Sequence, residues 1–162
     1  MKNIAKSKKS LGQNFLIDQN IISKIINIGQ INKKKTILEI GSGYGALTSE
    51  IIKKKPNQIF AVEKDKKLSL MLKDKFKDYK KLKIINEDIL KIINNVNLGQ
   101  NIIVFGNLPY NISTQILASL MLVSKWPTWY EQLIFMFQKE VANRIIATDK
   151  SKEFGRLSVL CN

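Results

Sequence analysis

Histidine is absent from the 162 residues of this chain, and cysteine occurs only once, as Cys161. Histidine is the commonest general base and metal ligand near neutral pH, so its absence removes the usual candidate for both roles. A single cysteine can form neither an internal disulfide nor a cysteine-based zinc site. We therefore expect no metal site, and any chemistry has to proceed without an imidazole base.

Long hydrophobic runs are also missing, because no apolar stretch approaches the roughly 20 residues that span a bilayer. The first ten residues carry basic side chains but no apolar stretch of signal-peptide length. At 162 residues, 44% hydrophobic and 25% charged, the chain has the size and composition of one globular domain. We expect a cytoplasmic protein without membrane attachment.

Acidic residues are scarce: 13 of them stand against 27 basic residues, for a net charge of +14. Such a charge attracts polyanions and speeds encounter with them. Only Arg144 and Arg156 are arginines, and a lysine-, isoleucine- and asparagine-rich composition also results from an AT-rich genome. Charge alone therefore leaves nucleic-acid binding open. Candidate contacts are Lys6, Lys8, Lys9 and Arg144, although a solvated surface explains each equally well.

Five short apolar runs alternate with segments of helical periodicity. The runs predict strands at residues 36–40, 58–62, 82–86, 101–105 and 131–137. Helices are predicted after the N-cap candidate Asp18 and at residues 46–54, 66–76, 112–123 and 138–147, with another beginning at 156. This order predicts an α/β fold with a mainly parallel sheet and helices on both faces.

Three consecutive strand ends carry residues suited to an adenosine-containing ligand. Gly41, Gly43 and Gly45 follow the first strand, where glycine permits unusual backbone angles and close approach of a ligand. Glu63 follows the second strand and can accept from both hydroxyls of a ribose. Asp88 follows the third strand and can accept from an adenine amino group. In parallel α/β sheets ligands bind beyond these strand ends, so the three groups predict one site.

Other interpretations of these residues remain. The glycines can form a tight turn without a ligand, and Asp88 can be a helix cap. The spacing from Gly41 to Ala46 also fits the dinucleotide fingerprint, and Glu63 serves NAD and S-adenosylmethionine equally well. An NAD enzyme would need a proton-transfer residue. The chain has no histidine, and no Tyr-x-x-x-Lys stands at a suitable strand or helix end.

The fourth strand ends in Asn107-Leu108-Pro109-Tyr110, a sequence suited to methylating an exocyclic amine. The Asn107 side-chain oxygen and the Leu108 carbonyl can accept both N–H hydrogens of an adenine N6 amine and direct its lone pair at a methyl donor. Pro109 fixes φ and offers no competing N–H, and Tyr110 offers a stacking face. Cytosine C5 methylation would need a cysteine nucleophile, and Cys161 stands far from any strand-end loop. A turn with Tyr110 in the core is the structural alternative.

Together these residues resemble the small-subunit ribosomal RNA adenine dimethyltransferases. The matching segments are Leu11-Gly12-Gln13-Asn14-Phe15-Leu16, Glu39-Ile40-Gly41-Ser42-Gly43-Tyr44-Gly45, Val62-Glu63, Glu87-Asp88, Asn107-Leu108-Pro109-Tyr110-Asn111, Gln138-Lys139-Glu140-Val141-Ala142 and Gly155-Arg156-Leu157-Ser158-Val159. The resemblance implies a Rossmann-like S-adenosylmethionine-dependent methyltransferase fold. It also implies dimethylation of two adjacent adenosines near the 3′ end of small-subunit rRNA, on the immature subunit, by a monomer. The family's cofactor contacts fall on Asn14, Leu16, Gly41, Glu63, Asp88 and Asn107.

The resemblance further implies a division of the chain. Residues 1–17 would be a basic tail and cofactor-covering segment, and residues 18–162 an incomplete catalytic domain. The family's later Phe-x-Pro-x-Pro-Lys-Val segment, two last strands and C-terminal helical domain have no counterpart here, which would leave the fifth strand as an exposed edge. Two alternatives remain: an NAD-dependent oxidoreductase, and a non-catalytic RNA-binding assembly factor.

Overall fold

The computed structural model describes residues 15–93, 98–122 and 128–162. The strands are β1 (Thr36–Ile40), β2 (Gln58–Val62), β3 (Leu82–Ile85), β4 (Ile102–Asn107) and β5 (Tyr130–Met136). The helices are α1 (Gln19–Ile28), α2 (Ala46–Lys53), α3 (Lys66–Lys75), α4 (Ile89–Ile92), α5 (Ser113–Met121), α6 (Lys139–Ile145) and α7 (Arg156–Cys161). The predicted Asn14, Lys6, Lys8 and Lys9 contacts lie outside the described residues.

The five strands form one sheet in the order β3-β2-β1-β4-β5, and all neighbouring strands are parallel. The predicted α/β class and parallel sheet are therefore confirmed. Strand order reverses between β1 and β4, because β2 follows β1 on one side while β4 pairs with it on the other. A ligand crevice opens at such a reversal, beyond the carboxyl ends of the strands.

The core has two layers, one on each face of the sheet. Leu38 in β1 and Val104 in β4 face one layer, which α4 and α5 cover. Ile37 and Phe105, their chain neighbours, face the other layer, which α1 and α2 cover. Side chains on a strand alternate between faces, so strands buried on both sides must be apolar throughout. Each fully buried residue of this kind contributes about 1.5–3 kcal/mol to stability.

Side-chain caps begin α1 and α3, the first of them as the sequence predicts for Asp18. Its carboxylate accepts from the backbone N–H of Asn20 at 2.8 Å and of Ile21 at 3.1 Å, which starts α1. Asp65 does the same for α3, accepting from Lys67 at 2.8 Å. Such a cap satisfies N–H groups that have no partner within the helix and is typically worth about 1 kcal/mol.

Two of the differences from the prediction bear on the site. β4 does not end at residue 105 but continues through Asn107, because Gly106 and Asn107 pair with Phe135 and Met136 of β5. The short helix α4 was not predicted, since four residues are too few to show a period. Within the described residues β5 pairs only with β4, so it forms an edge of the sheet.

Candidate functional site

The glycine loop after β1 lies directly against the end of β4. In the parallel register Ile40 pairs with Gly106, so the next residues of both strands leave the sheet side by side. A Cβ atom at Gly41 would lie 3.4 Å from the Asn107 carbonyl oxygen and 3.9 Å from the Pro109 ring. Gly41 also has φ +73°, which glycine adopts without strain. The structure thus brings together the predicted cofactor loop and the predicted transfer site.

Glu63 is joined to the same loop through its carboxylate. One oxygen accepts from the backbone N–H of Gly43 at 2.9 Å, and the other accepts from Asp65 at 2.8 Å. Burial raises the pKa of Glu63, although these two hydrogen bonds oppose the shift. A carboxylate has about four acceptor positions, so these hydrogen bonds leave room for a further donor such as a ribose hydroxyl.

Asp88 is the N-cap of α4, which was the alternative interpretation of this residue. Its carboxylate accepts from the Leu90 backbone N–H at 3.1 Å and from the Lys64 ammonium at 2.7 Å. The bond to Lys64 is the main reason why the pKa of Asp88 lies below its usual value. The cap does not occupy every acceptor position, so the adenine contact stays a prediction.

The five residues after Asn107 form a short turn that leads into α5. Leu108 is buried in the core, whereas Tyr110 keeps 40% of its surface exposed. The Pro109 carbonyl accepts from the Ile112 N–H at 3.1 Å, and the Tyr110 carbonyl accepts from the Ser113 hydroxyl at 3.3 Å. Tyr110 therefore lies outside the core, which contradicts the alternative of a buried tyrosine in a structural turn.

Phe15 and Leu16 point to different neighbours. Phe15 covers the glycine loop, because its ring would lie 3.2 Å from a Cβ atom at Gly43 and its centroid lies 4.5 Å from that of Tyr44. Leu16 packs against the core layer of α1 and α2. The sequence analysis did not predict that Phe15 contacts the glycine loop. Its position between the predicted cofactor residues Asn14 and Leu16 was a signal that could have indicated this contact. Cofactor binding by Leu16 stays a prediction.

Glu39 is a second buried acid that sequence reasoning left without a role. It lies in β1 with 1% of its surface exposed, and the Thr48 hydroxyl of α2 donates to its carboxylate at 2.6 Å. Burial raises its pKa from 4.5 to about 7, and the nearby Glu63 adds to the rise. The sequence did contain a signal for this role, since Glu39 is an acid within an otherwise apolar strand. A buried acid needs a hydrogen-bond partner, so such a position indicates a structural contact.

Asn86, at the end of β3, forms side-chain hydrogen bonds to the backbone at the end of β2. Its side-chain amide donates to the carbonyl of Glu63 at 2.9 Å and to that of Lys64 at 3.2 Å. The backbone that carries Glu63 is thereby held from the neighbouring strand as well as from the glycine loop. No signal in the sequence pointed to this contact, since a polar residue at a strand end is common.

The described residues lack two further features. No three histidine, cysteine, aspartate or glutamate side chains come together as a possible metal site in these parts of the chain. Within the same ranges no helix is both long and apolar enough to cross a membrane.

Comparison with known proteins shows which family this chain matches. The family described as ribosomal RNA adenine dimethylase matches residues 4–162. The chain belongs to this family. A relative from Pelagibacter ubique, a ribosomal RNA small subunit methyltransferase A, is 51% identical over 155 residues, covering 96% of this chain and 58% of the relative. A protein of the same name from Streptococcus thermophilus is 44% identical over 158 residues, covering 94% and 53% respectively.

The fold of this family member is shared with a solved structure. A dimethyladenosine transferase from Plasmodium falciparum superposes with a TM-score of 0.78 at 26% identity, covering 91% of this chain and 51% of the other. The predicted Rossmann-like methyltransferase fold is thereby confirmed. The chain spans about half the length of the curated relatives that it matches.

The family also supports S-adenosylmethionine as the predicted cofactor, and the residues present fit it. Gly41 leaves open a space that a Cβ atom would fill next to Asn107. Glu63 stands at the end of the neighbouring strand with acceptor positions left after its two backbone hydrogen bonds. The crevice therefore offers both the close backbone approach and the acceptor that an adenosine-containing cofactor needs.

Proposed function

We propose that this chain carries the catalytic site of an S-adenosylmethionine-dependent rRNA adenine N6-methyltransferase. Its substrate would be two adjacent adenosines near the 3′ end of small-subunit rRNA, each dimethylated on the immature subunit, by a monomer in the cytoplasm. The observation that carries the proposal is the contact between Gly41 and the Asn107 backbone. It joins the predicted cofactor loop to the predicted methyl-accepting site in one crevice.

The cofactor would lie along the carboxyl ends of β1, β2 and β3. Glu63 would accept from the ribose hydroxyls, because it stands at the end of β2 and retains acceptor positions. Asp88 would accept from the adenine amino group beyond β3. The residues that we propose to hold the cofactor are Asn14, Leu16, Gly41, Gly43, Glu63, Asp88 and Asn107. When bound, S-adenosylmethionine supplies a methyl group on a sulfonium sulfur, which leaves as a neutral thioether.

Asn107 and Leu108 would prepare the target amine. The N6 amine of adenine is a weak nucleophile, since its lone pair is delocalised into the ring. Two acceptors, the Asn107 side-chain oxygen and the Leu108 carbonyl oxygen, would bind its two hydrogens and turn the lone pair toward the methyl group. After transfer the nitrogen becomes acidic, so Asn107 need only hold the proton until it passes to solvent. Positioning and local electrostatics then drive the transfer without an imidazole base.

Tyr110 and Pro109 would hold the extruded base. Tyr110 is partly exposed at the mouth of the crevice, and aromatic stacking on a base is worth about 1–3 kcal/mol. Pro109 has no backbone N–H to compete for the acceptors of the turn. Asn107, Leu108, Pro109 and Tyr110 are therefore the residues to which we assign the methyl transfer.

The test is methyl transfer from labelled S-adenosylmethionine to small ribosomal subunits that lack the modification. We expect Asn107→Ala to lower the rate about a hundredfold, as the loss of one positioned polar group does elsewhere. Asn57→Ala is the matched control, because Asn57 is exposed just before β2, at the amino ends of the parallel strands and so opposite the crevice. Its rate should equal that of the wild type.

Three outcomes would contradict the proposal. Transfer that is unaffected by Asn107→Ala would overturn the site assignment. Wild-type binding to the subunit without any transfer would instead indicate an assembly factor. Protection of the folded state by NADH but not by S-adenosylhomocysteine would favour the oxidoreductase alternative, which the family membership argues against.

A further inference from the structure

A concentration of positive charge lies along α3 and the edge strand β3, and includes none of the predicted crevice residues. Between residues 66 and 83 eight lysines stand against two aspartates, so this segment holds a net charge of +6 out of +14. Apart from Lys75, which donates to the Tyr44 carbonyl, five of the lysines are exposed at the end of α3, in the turn after it or on β3. They are Lys73, Lys77, Lys80, Lys81 and Lys83, and we call them the basic edge.

The basic edge surrounds a cavity with aromatic walls. The cavity has a volume of about 300 Å³, and Lys73, Lys77 and Lys80 line it together with Phe76 and Tyr79. Both aromatic residues are partly exposed. Lysines that only keep a protein soluble do not need a cavity between them. Lysines interleaved with aromatic rings are typical of surfaces that bind nucleic acids.

None of the five lysines of the basic edge forms an ion pair in the described part of the chain. The ion pairs found there involve other lysines, namely Lys35, Lys53, Lys64 and Lys91. Neighbouring like charges repel and lower the stability of the fold, and a polyanion relieves that repulsion. The arrangement thus favours an anionic partner with several charges in a row.

The cavity is connected to the glycine loop through Phe76. A Cβ atom at Gly45 would lie 2.7 Å from the Phe76 ring, and the neighbouring Lys75 donates to the Tyr44 carbonyl at 2.8 Å. The same ring therefore lines the cavity on one side and packs against the cofactor loop on the other. An anion held at the basic edge would be next to the loop that forms the crevice.

We propose that the basic edge is a second RNA-contact surface, which binds the phosphate backbone with an unpaired base against Phe76 or Tyr79. The inference rests on the proposed function, because RNA is the polyanion which that function provides. Lysine contacts to phosphates release counterions, so binding at this edge is strongly salt-dependent. Phosphate contacts of this kind position the RNA, and the crevice selects the base.

The experiment compares two triple variants with equal charge change in the 162-residue chain. Lys73→Glu/Lys77→Glu/Lys80→Glu alters the cavity wall, and Lys24→Glu/Lys33→Glu/Lys34→Glu alters exposed lysines around α1. Binding of a small-subunit rRNA 3′ fragment is measured over a series of salt concentrations. We expect the edge variant to lose at least about tenfold in affinity, with a salt slope lower by about 1 per lost phosphate contact, and the control variant to lose much less.

Cofactor binding separates this inference from the proposed function. S-adenosylhomocysteine should protect the edge variant from thermal unfolding as well as it protects the wild type, and the edge variant should keep its kcat at saturating RNA while KM rises. Equal losses in both triple variants, or none, would overturn the inference and leave the proposed function intact. A wild type that binds S-adenosylhomocysteine but neither binds nor methylates RNA would overturn both. The edge would instead be a membrane-binding surface under one further outcome. In that case the wild type and the control variant bind phosphatidylserine vesicles, the edge variant does not, and all three bind RNA equally well.

Discussion

The position of a Cβ atom at Gly41 lies 3.4 Å from the carbonyl oxygen of Asn107, across the point where strand order reverses. This distance is an ordinary van der Waals contact, so a methyl group there would fit but would occupy the space beside Asn107 and Pro109. Gly41 and Asn107 are far apart in the sequence. Their proximity follows from the pairing of β1 with β4.

Gly41→Ala should therefore weaken ligand binding as well as the fold. We expect it to lower the free energy of unfolding by about 1–2 kcal/mol because of its positive φ. We also expect it to lower S-adenosylhomocysteine affinity at least tenfold, because the methyl group occupies the space of close approach. Denaturant unfolding and isothermal titration calorimetry measure the two effects.

Gly99→Ala is the matched control for this substitution. Gly99 has φ +96°, and a Cβ atom there would meet nothing within 4 Å. It should lose similar stability and no ligand affinity. Equal affinity losses in both variants would show that the Gly41 space does not serve the cofactor.

Glu63→Gln tests the carboxylate that holds the glycine loop. Glutamine has one acceptor oxygen, so it can accept from Gly43 or Asp65 but not from both. We expect a loss of about 1–3 kcal/mol in unfolding free energy and a tenfold or larger loss of S-adenosylhomocysteine affinity. The exposed Glu140→Gln on α6 is the control and should change neither quantity. Unchanged affinity in Glu63→Gln would remove Glu63 from the cofactor site.

Glu39 should make stability depend on pH in the direction opposite to that of most carboxylates. Its pKa is raised from 4.5 to about 7 in the folded state, so the folded chain keeps a proton that the unfolded chain loses between these values. The contribution of Glu39 to the unfolding free energy is then largest below pH 4.5 and falls as pH rises to about 7, by up to about 3 kcal/mol.

Glu39→Gln should remove this dependence. The glutamine oxygen can still accept from the Thr48 hydroxyl, and no charge has to be buried. We expect the variant to be more stable than the wild type above pH 7 and to show a flatter curve, measured by urea unfolding over a pH series. Parallel curves for wild type and variant would mean that Glu39 titrates normally.

Much of the fold could be predicted from periodicity and caps. The alternation of apolar strands with amphipathic segments predicts the parallel sheet, and Asp18 predicts the start of α1, because both signals are local. The end of β4 could not be predicted in the same way. It depends on pairing of Gly106 and Asn107 with β5, which lies about thirty residues further along the chain.

The candidate site also has a part that the sequence predicts and a part that it does not. Asn107 ends one strand, and Gly41, Gly43, Glu63 and Asp88 follow the others. A parallel sheet places all strand ends at one edge, so the sequence by itself determined that grouping. Only the tertiary structure decided the contact of Gly41 with Asn107, the cover of Phe15 over Gly43 and the tie from Asn86 to β2. These contacts depend on register, twist and side-chain direction, which result from the packing of the whole domain. For the same reason the raised pKa of Glu39 became visible only once the core around it was known.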